Sequence, residues 1–158
     1  MKNSGAAILL GLALAVGACG GKNVEIDPES EMVGTRWNAT LATPTQLAGA
    51  VQVKGTGWMT GDKGDTTKTR AFVAIQNAVP GGEHPWHVHL GQCGNDRGIF
   101  GAVGAYQPLR VGSDGQAQES AVLQVPVPVA GQYFINVHAS RNNMGTIIAC
   151  GNLAPPGR

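Results

Sequence analysis

The sequence predicts an all-β domain, a Greek-key β-sandwich or barrel. No long stretch has the 3.6-residue period of an amphipathic helix, and short segments rich in β-branched and aromatic residues recur between clusters of Gly, Pro, Asn and Asp. The predicted strands are Thr35–Ala42, Val51–Met59, Thr67–Val79, Trp86–Gly91, Leu109–Val111, Gln118–Val125, Gly131–Ala139 and Thr146–Leu153. Many short strands at this spacing are typical of a sandwich or a Greek-key barrel.

The N-terminus has the parts of a bacterial signal peptide. Lys2 gives a positive start, and residues 6–16 form an apolar stretch that is too short to span a bilayer as a helix. The stretch ends in Val16–Cys19 (Val-Gly-Ala-Cys), which resembles a bacterial lipobox. We therefore expect residues 1–18 to be removed and lipid chains on Cys19 to anchor the protein to an envelope membrane, facing the periplasm. A plain signal peptide with an incidental cysteine is the alternative, and the sequence does not decide which membrane is used.

Composition limits the domain count and the partners. Residues 19–32 are polar and are expected to tether one domain, residues 33–153, and residues 154–158 form a Pro-rich tail that we expect to be disordered. The formal net charge is +1, only 13% of residues are charged, and no stripe of Lys and Arg occurs. Nucleic acid is therefore not an expected partner, and the oligomeric state is open.

Two cysteines, Cys93 and Cys150, remain once Cys19 is assigned to lipidation. In an oxidising compartment an even pair is most simply a disulfide. Such a bond would stabilise the fold by about 4 kcal/mol in the chain-entropy model. Two free thiols, or a cysteine in a metal site, are the alternatives.

The 4 histidines of the chain lie in or beside two predicted strands. His87 and His89 are two residues apart, so their side chains project from the same face of one strand. Val88 and Leu90 face the other way, and we expect them to point into the core. Pro85 separates His84 from this strand, so we expect His84 at the rim of the site, with fourth-ligand status as the less favoured alternative.

His138 and Asn136 share a face of the second strand. If the two strands are neighbours, three imidazoles converge outside the core and can bind one metal ion. Imidazole suits Zn, Cu, Fe and Ni, with the highest affinity for copper, and Asn136 could orient a ligand ring. No Asp or Glu lies inside either strand, which disfavours Ca and Mg. Ordinary surface or hydrogen-bonding histidines are the alternative.

Four short motifs in the same order carry a resemblance to a known family. Trp86–Gly91, followed by Cys93–Gly94, resembles the copper/zinc superoxide dismutases, in which a His-Val-His strand supplies two copper ligands and the cysteine enters the intramolecular disulfide. Asn136–His138 resembles the strand with the last copper histidine, and Ile148–Gly151 resembles the segment whose cysteine closes the disulfide. The resemblance covers residues 37–153. It implies the superoxide-dismutase type of β-sandwich, copper bound by His87, His89 and His138, and a Cys93–Cys150 bond.

The chain also departs from this family. No histidine lies between His89 and His138, so the zinc site and the fourth copper ligand are missing, and no zinc is expected. Ile147 occupies the position of the family's active-site arginine, and Ser140–Gly145 replaces its charged loop with a short turn. Arg97 or Arg141 could substitute for the arginine if the fold brings either one close.

Three functions are compatible with these features. The first is a copper-dependent superoxide dismutase of reduced activity, with superoxide as its substrate. The second is a copper-holding protein without catalysis, which the missing arginine and fourth ligand favour. The third is a metal-free domain of the chordin type, a related sandwich, used for interactions in the envelope. Function follows the site rather than the fold, so the histidines decide among them.

Overall fold

The computed structural model describes residues 35–47, 49 and 52–157 of the chain. The predicted signal peptide, the predicted lipidation site at Cys19 and the predicted tether lie outside these residues. In the part of the chain that is described, no helix is long and apolar enough to cross a membrane.

The described residues form an all-β structure, as predicted, with two short 3₁₀ turns at Thr45–Leu47 and Val103–Ala105. The strands are β1 (Trp37–Ala42), β2 (Lys54–Asp62), β3 (Asp65–Gln76), β4 (Glu83–His84), β5 (Trp86–Gln92), β6 (Asn95–Ile99), β7 (Leu109–Arg110), β8 (Ala117–Leu123), β9 (Tyr133–Ser140) and β10 (Asn143–Leu153). An 8-stranded antiparallel sheet has the order β6-β5-β9-β10-β1-β2-β3-β8 and curls into a half-barrel, while β4 and β7 form a separate 2-stranded sheet.

The sheet combines hairpins with long crossovers. Hairpins join β1 to β2, β2 to β3, β5 to β6 and β9 to β10, whereas the β5–β9, β1–β10 and β3–β8 pairs bring together segments far apart in the sequence. The β5–β9 pair matters most for function, because it aligns His87 with Asn136 and His89 with Phe134. The two histidine-bearing strands are therefore neighbours, as the convergence of the three imidazoles requires.

The core lies inside the curl of the large sheet. In β1 the buried residues alternate with exposed ones, which is the period-2 pattern of a strand with one face against the core. The largest fully buried side chains include Trp37, Trp86, Phe134, Leu41 and Met59. Complete burial of each such side chain contributes roughly 1.5–3 kcal/mol. Trp86 also donates its indole N–H to the main-chain oxygen of Gln107 at 2.8 Å, so its burial leaves no unpaired donor.

Each of the predicted strands overlaps an observed one, but the prediction missed β4 and β6. The segment Cys93–Tyr106 was predicted to lack a strand, and β6 lies within it. Its sequence, Asn-Asp-Arg-Gly-Ile, has little β propensity, so pairing with β5 rather than local preference makes it a strand.

Leu90 does not point into the core as predicted. Val88 is fully buried, but the side chain of Leu90 is 37% exposed. Leu90 pairs with Tyr133, the first residue of β9, at the end of the β5–β9 ladder. Leu90 lies on the same face of β5 as Val88, but at the end of the ladder the core no longer covers this face.

Gly91 allows β6 to fold back beside the histidine strand. It has a φ of 109°, and a Cβ at this position would lie 2.2 Å from the main-chain oxygen of Asn95. Only glycine tolerates both this conformation and this approach. The β5–β6 register shifts here, between His89 and Gly91, and Gly91 then pairs with Asp96. The irregularity therefore brings Asp96 to the histidine strand.

The predicted disulfide between Cys93 and Cys150 is present, with Cα atoms 6.0 Å apart and a sequence separation of 57. A loop of this length corresponds to about 4 kcal/mol of stabilisation in the chain-entropy model. The Cys93 N–H also donates to Oδ1 of Asn152 at 2.8 Å. The turn between β5 and β6 is thus fixed to β10 by a covalent bond and a hydrogen bond.

The last strand is extended by one further pair. Ala154 forms an antiparallel bridge with Asn38, and their main chains exchange hydrogen bonds of 3.0 and 2.8 Å. The first residue of the segment predicted as a tail therefore pairs with β1.

Candidate metal centre

His87, His89 and His138 converge in one cluster. One ring nitrogen from each lies within 4.8 Å of the others. The three side chains are only 3–5% exposed, so the cluster is buried, although it lies on the face opposite the core residues Val88 and Val137, as expected. Aromatic rings cover it: Tyr106 contacts His87 edge-on with ring centroids 5.1 Å apart, and Phe134 stacks on His89 at 5.1 Å.

Hydrogen bonds to Nδ1 fix the rings of His138 and His89 and leave the Nε2 lone pair of each ring available for a metal ion. Nδ1 of His138 lies 2.6 Å from the main-chain oxygen of Met144, and Nδ1 of His89 lies 3.0 Å from Oδ1 of Asp96. A carbonyl or carboxylate oxygen only accepts, so both Nδ1 atoms carry hydrogen and both Nε2 atoms carry lone pairs. Nε2 of His89 is buried and has no hydrogen-bond partner among the described residues.

The ring of His87 contacts the ring of His138 directly. Nδ1 of His87 lies 3.3 Å from Nε2 of His138. Since Nε2 of His138 carries a lone pair, His87 donates to it in the metal-free protein. A metal ion bound by both atoms would displace this hydrogen, so metal binding at this site releases or relocates a proton on His87.

Burial favours the neutral form of His87 and His138, two of the three imidazoles. Burial, with smaller contributions from neighbouring His138 and His89, lowers the pKa of His87 to about 4. Burial also lowers the pKa of His138, although the hydrogen bond to Met144 acts in the opposite direction. Neutral imidazole is the form that binds metals. At neutral pH these ligands therefore need not lose a positive charge before binding.

Asp96 belongs to the site although the sequence did not indicate it. Burial acts to raise the pKa of its carboxyl, but hydrogen bonds from the N–H of Gly98 and from His89 outweigh burial and hold that pKa below its usual range. Asp96 is thus ionised and able to orient the His89 ring, as partners of metal-binding histidines commonly do. The Asp-x-Gly pattern could have indicated a turn, but the contact with His89 depends on the unpredicted β6.

His84 lies outside the cluster. The three-histidine group does not include it, and it is 8% exposed rather than at an open rim. Its Nδ1 lies 2.9 Å from the main-chain oxygen of Ala139 and 3.2 Å from that of His138. The prediction of a rim position is wrong because the β4–β7 sheet covers this side of β9.

Asn136 lies on the histidine face of β9, as predicted, opposite His87. It is buried, and its Oδ1 has no hydrogen-bond partner among the residues described. Its role in orienting a ligand ring stays a prediction. The contacts seen to orient rings come instead from Asp96 and from the main chain of Met144.

A cavity of about 860 Å³ reaches His138 and Asn136 from the side of β10. Ile147, the residue at the position of the family's arginine, lines it and pairs with His138 in the β9–β10 ladder. Among its lining residues, all from the described part of the chain, Asp96 is the one with a formal charge. Neither Arg97 nor Arg141 lines it, and Arg141 is instead ion-paired with Glu83 at 3.2 Å.

No protein-family model matches the chain, and a search of curated proteins finds no significant match. The fold and the site therefore define this protein as an all-β half-barrel with a buried three-histidine cluster positioned to hold a metal ion. The donor set has three imidazole nitrogens and, among the described residues of this cluster, no thiolate or carboxylate. Such a set suits borderline transition metals.

The metal-free protein should lose stability as pH falls from 6.5 to about 4. The pKa of His87 is about 4 in the folded protein, below its ordinary 6.5, so the unfolded chain binds this proton more strongly. The contribution of His87 is therefore complete above pH 6.5 and is lost as pH falls towards the folded-state pKa. We expect the free energy of unfolding to fall by up to about 3 kcal/mol across this window, measured by urea denaturation with a chelator present.

The control is His87→Gln, which keeps a polar side chain but does not titrate. Its free energy of unfolding should depend less on pH between 6.5 and 4. The same dependence in both proteins would contradict the assignment to His87.

Proposed function

We propose that this domain holds copper in the bacterial cell envelope through His87, His89 and His138, with dismutation of superoxide as a slow secondary activity. One observation carries the proposal: three buried imidazole nitrogens lie within 4.8 Å of one another, and hydrogen bonds from Nδ1 of two rings leave their Nε2 lone pairs free.

The donor set favours copper. Affinity for nitrogen ligands rises along the divalent series to copper. Three neutral imidazoles can serve Cu(I), and a water can complete the coordination of Cu(II). When bound, copper would supply one-electron redox chemistry. The resemblance of the His-Val-His strand and of the Cys93–Cys150 pair to the copper/zinc superoxide dismutases supports the same metal.

The cavity beside the site does not favour rapid reaction with superoxide. Superoxide is an anion, and the charged side chain in the cavity lining is the carboxylate of Asp96. Ile147 lies next to His138 but cannot hydrogen-bond or attract an anion. Loss of one such electrostatic contact commonly reduces catalysis 10²–10³-fold. This favours copper holding over catalysis.

A metal-free interaction domain fits the cluster less well. Nε2 of His89 is buried without a hydrogen-bond partner in the described structure. A buried unpaired polar group costs roughly 1–3 kcal/mol, and a metal ion would remove that cost. The orientation of the His89 ring by Asp96 would also have no purpose in a domain that binds no metal.

The location in the envelope rests on the N-terminal sequence. The apolar stretch and the Val16–Cys19 motif support export and lipidation at Cys19. A lipid anchor would place the copper site at a membrane surface facing the periplasm, where the disulfide is stable.

Copper loading tests the site directly. The purified chain, incubated with equimolar copper and zinc and then desalted, should retain about one copper per chain by elemental analysis, in line with the affinity order of divalent metals. The triple variant His87→Ala/His89→Ala/His138→Ala should retain almost none. Asp96→Leu should bind copper about 10–100-fold more weakly, because it leaves the His89 ring unsupported.

Asn95→Leu is the matched control for Asp96→Leu, since Asn95 is the exposed neighbouring residue in β6. It should bind copper like the wild type. The site assignment fails if the wild type binds no copper, or if the triple variant binds as much as the wild type.

The role of Ile147 in the reaction with superoxide is tested by placing an arginine at this position. Copper-loaded Ile147→Arg should dismutate superoxide about 10–100-fold faster than the wild type, because a cation beside His138 attracts the anion. Ile147→Leu, which adds no charge, should match the wild type. Stopped-flow decay of superoxide measures the rates. A wild-type rate near the diffusion limit would show that Ile147 does not limit the reaction.

Lipidation is tested at the lipobox. Cys19→Ala expressed in a bacterial host should fail to partition into the detergent phase in a phase-separation assay, because it carries no acyl chains. Gly21→Ala, which keeps the cysteine, should partition like the wild type. If Cys19→Ala behaves like the wild type, Cys19 does not anchor the protein.

A further inference from the structure

His84 is a buried histidine that the proposed metal cluster does not use. It lies in β4, on the side of β9 covered by the small β4–β7 sheet, and it contacts the main chain of β9 rather than another side chain. Its position immediately before Pro85 matters, because both residues contact the segment that carries His138.

The main chain at His138 is held on both sides by this segment. Its N–H donates to the main-chain oxygen of Pro85 at 2.8 Å. Its C=O lies 3.2 Å from Nδ1 of His84, and the C=O of Ala139 lies 2.9 Å from the same atom. A carbonyl oxygen only accepts, so Nδ1 of His84 carries hydrogen and donates to this pair of carbonyls.

Sheet pairing becomes irregular at this point of β9. On one side, the β5 ladder stops at the pair of Trp86 with Val137. On the other side, the β9–β10 register shifts on both sides of Ile147, the residue that pairs with His138. A bulge of this kind leaves main-chain groups without regular ladder partners. His84 and Pro85 supply the missing hydrogen bonds to the main chain at His138 and Ala139.

The position of the other ring nitrogen, Nε2, shows that His84 is not a ligand of the three-histidine cluster. Nε2 is buried without a hydrogen-bond partner among the described residues. It is directed at the turn that contains Gly82, where an added Cβ would lie 2.7 Å from it. With Nδ1 bound to β9 and Nε2 directed at Gly82, neither ring nitrogen of His84 belongs to the three-histidine group.

We propose that His84 is a positioning residue for the metal centre: its Nδ1–H fixes the His138–Ala139 main chain and thereby the direction in which the His138 imidazole enters the cluster. This inference rests on the proposed function to the extent that His138 binds a metal. The ring of His138 is then held at both ends, by His84 through the main chain and by the Met144 oxygen through Nδ1.

The first test uses the metal-free full chain and does not depend on copper. Long-range ¹H–¹⁵N correlation spectra distinguish the two neutral tautomers of each histidine. We expect His84 as the Nδ1–H tautomer with a slowly exchanging ring hydrogen. An Nε2–H tautomer, or a rapidly exchanging Nδ1–H, would overturn the proposal.

The second test compares His84→Asn, which can offer an N–H donor near the position of Nδ1, with His84→Phe, which keeps a flat ring but has no donor. Copper affinity by competition titration should fall about tenfold or more in His84→Phe, the usual effect of losing a supporting contact. It should stay within about threefold of the wild type in His84→Asn. The Cu(II) electron paramagnetic resonance spectrum should change in His84→Phe and be retained in His84→Asn.

Urea denaturation of both metal-free variants separates positioning from folding. A folded His84→Phe with wild-type copper affinity and spectrum would refute the positioning role. So would a folded His84→Asn that loses affinity as severely as His84→Phe. If His84→Phe does not fold, the tautomer of His84 in the wild type and the copper affinity of His84→Asn decide whether His84 is a positioning residue. If the wild type binds no Cu(II), the proposed function fails, while the tautomer experiment still reports whether His84 holds the main chain.

Discussion

The pairing of β5 with β9 in one register is the constraint on which the site depends. It places His87 opposite Asn136 and brings His138, which follows two residues later on the same face, to the two histidines of the other strand. A shift of one residue would move His138 to the opposite face of the sheet. Val88, between His87 and His89, and Val137, next to His138, are fully buried in the core and so fix this register.

Burial gives the cluster its chemistry. Removing the imidazoles of His87 and His138 from water disfavours their protonation and keeps their lone pairs available, and the pKa of each ring is lowered accordingly. The same burial makes ring orientation important, because a misdirected lone pair cannot be compensated by solvent. Asp96, Met144 and His84 supply this orientation from three different segments. Among the described residues that line the cavity, the one charged side chain is acidic, so the surroundings favour a cation over an anion.

The disulfide, Gly91 and the irregular pairing around Ile147 each shape the fold and also position residues at the histidine cluster. The Cys93–Cys150 disulfide stabilises the fold and also fixes the turn that leads into β6 and Asp96. Gly91 ends the regular part of β5 and permits the bulge that brings Asp96 to the histidine strand. The irregular pairing around Ile147 is matched by the hydrogen bonds from His84. The histidine cluster therefore lies where sheet pairing is irregular, and side chains replace the missing ladder contacts.

The sequence by itself determined the all-β class, most of the strands, the disulfide and the three histidines, because period-2 patterns, turn residues and cysteine parity are local or countable signals. The tertiary structure alone decided the burial of the cluster, the exposure of Leu90 and the contacts of Asp96 and His84. These depend on where the core ends and on which segments pack across the sheet. Strands β4 and β6 exist through pairing rather than propensity, so the contacts that His84 and Asp96 make had no local signal in the sequence.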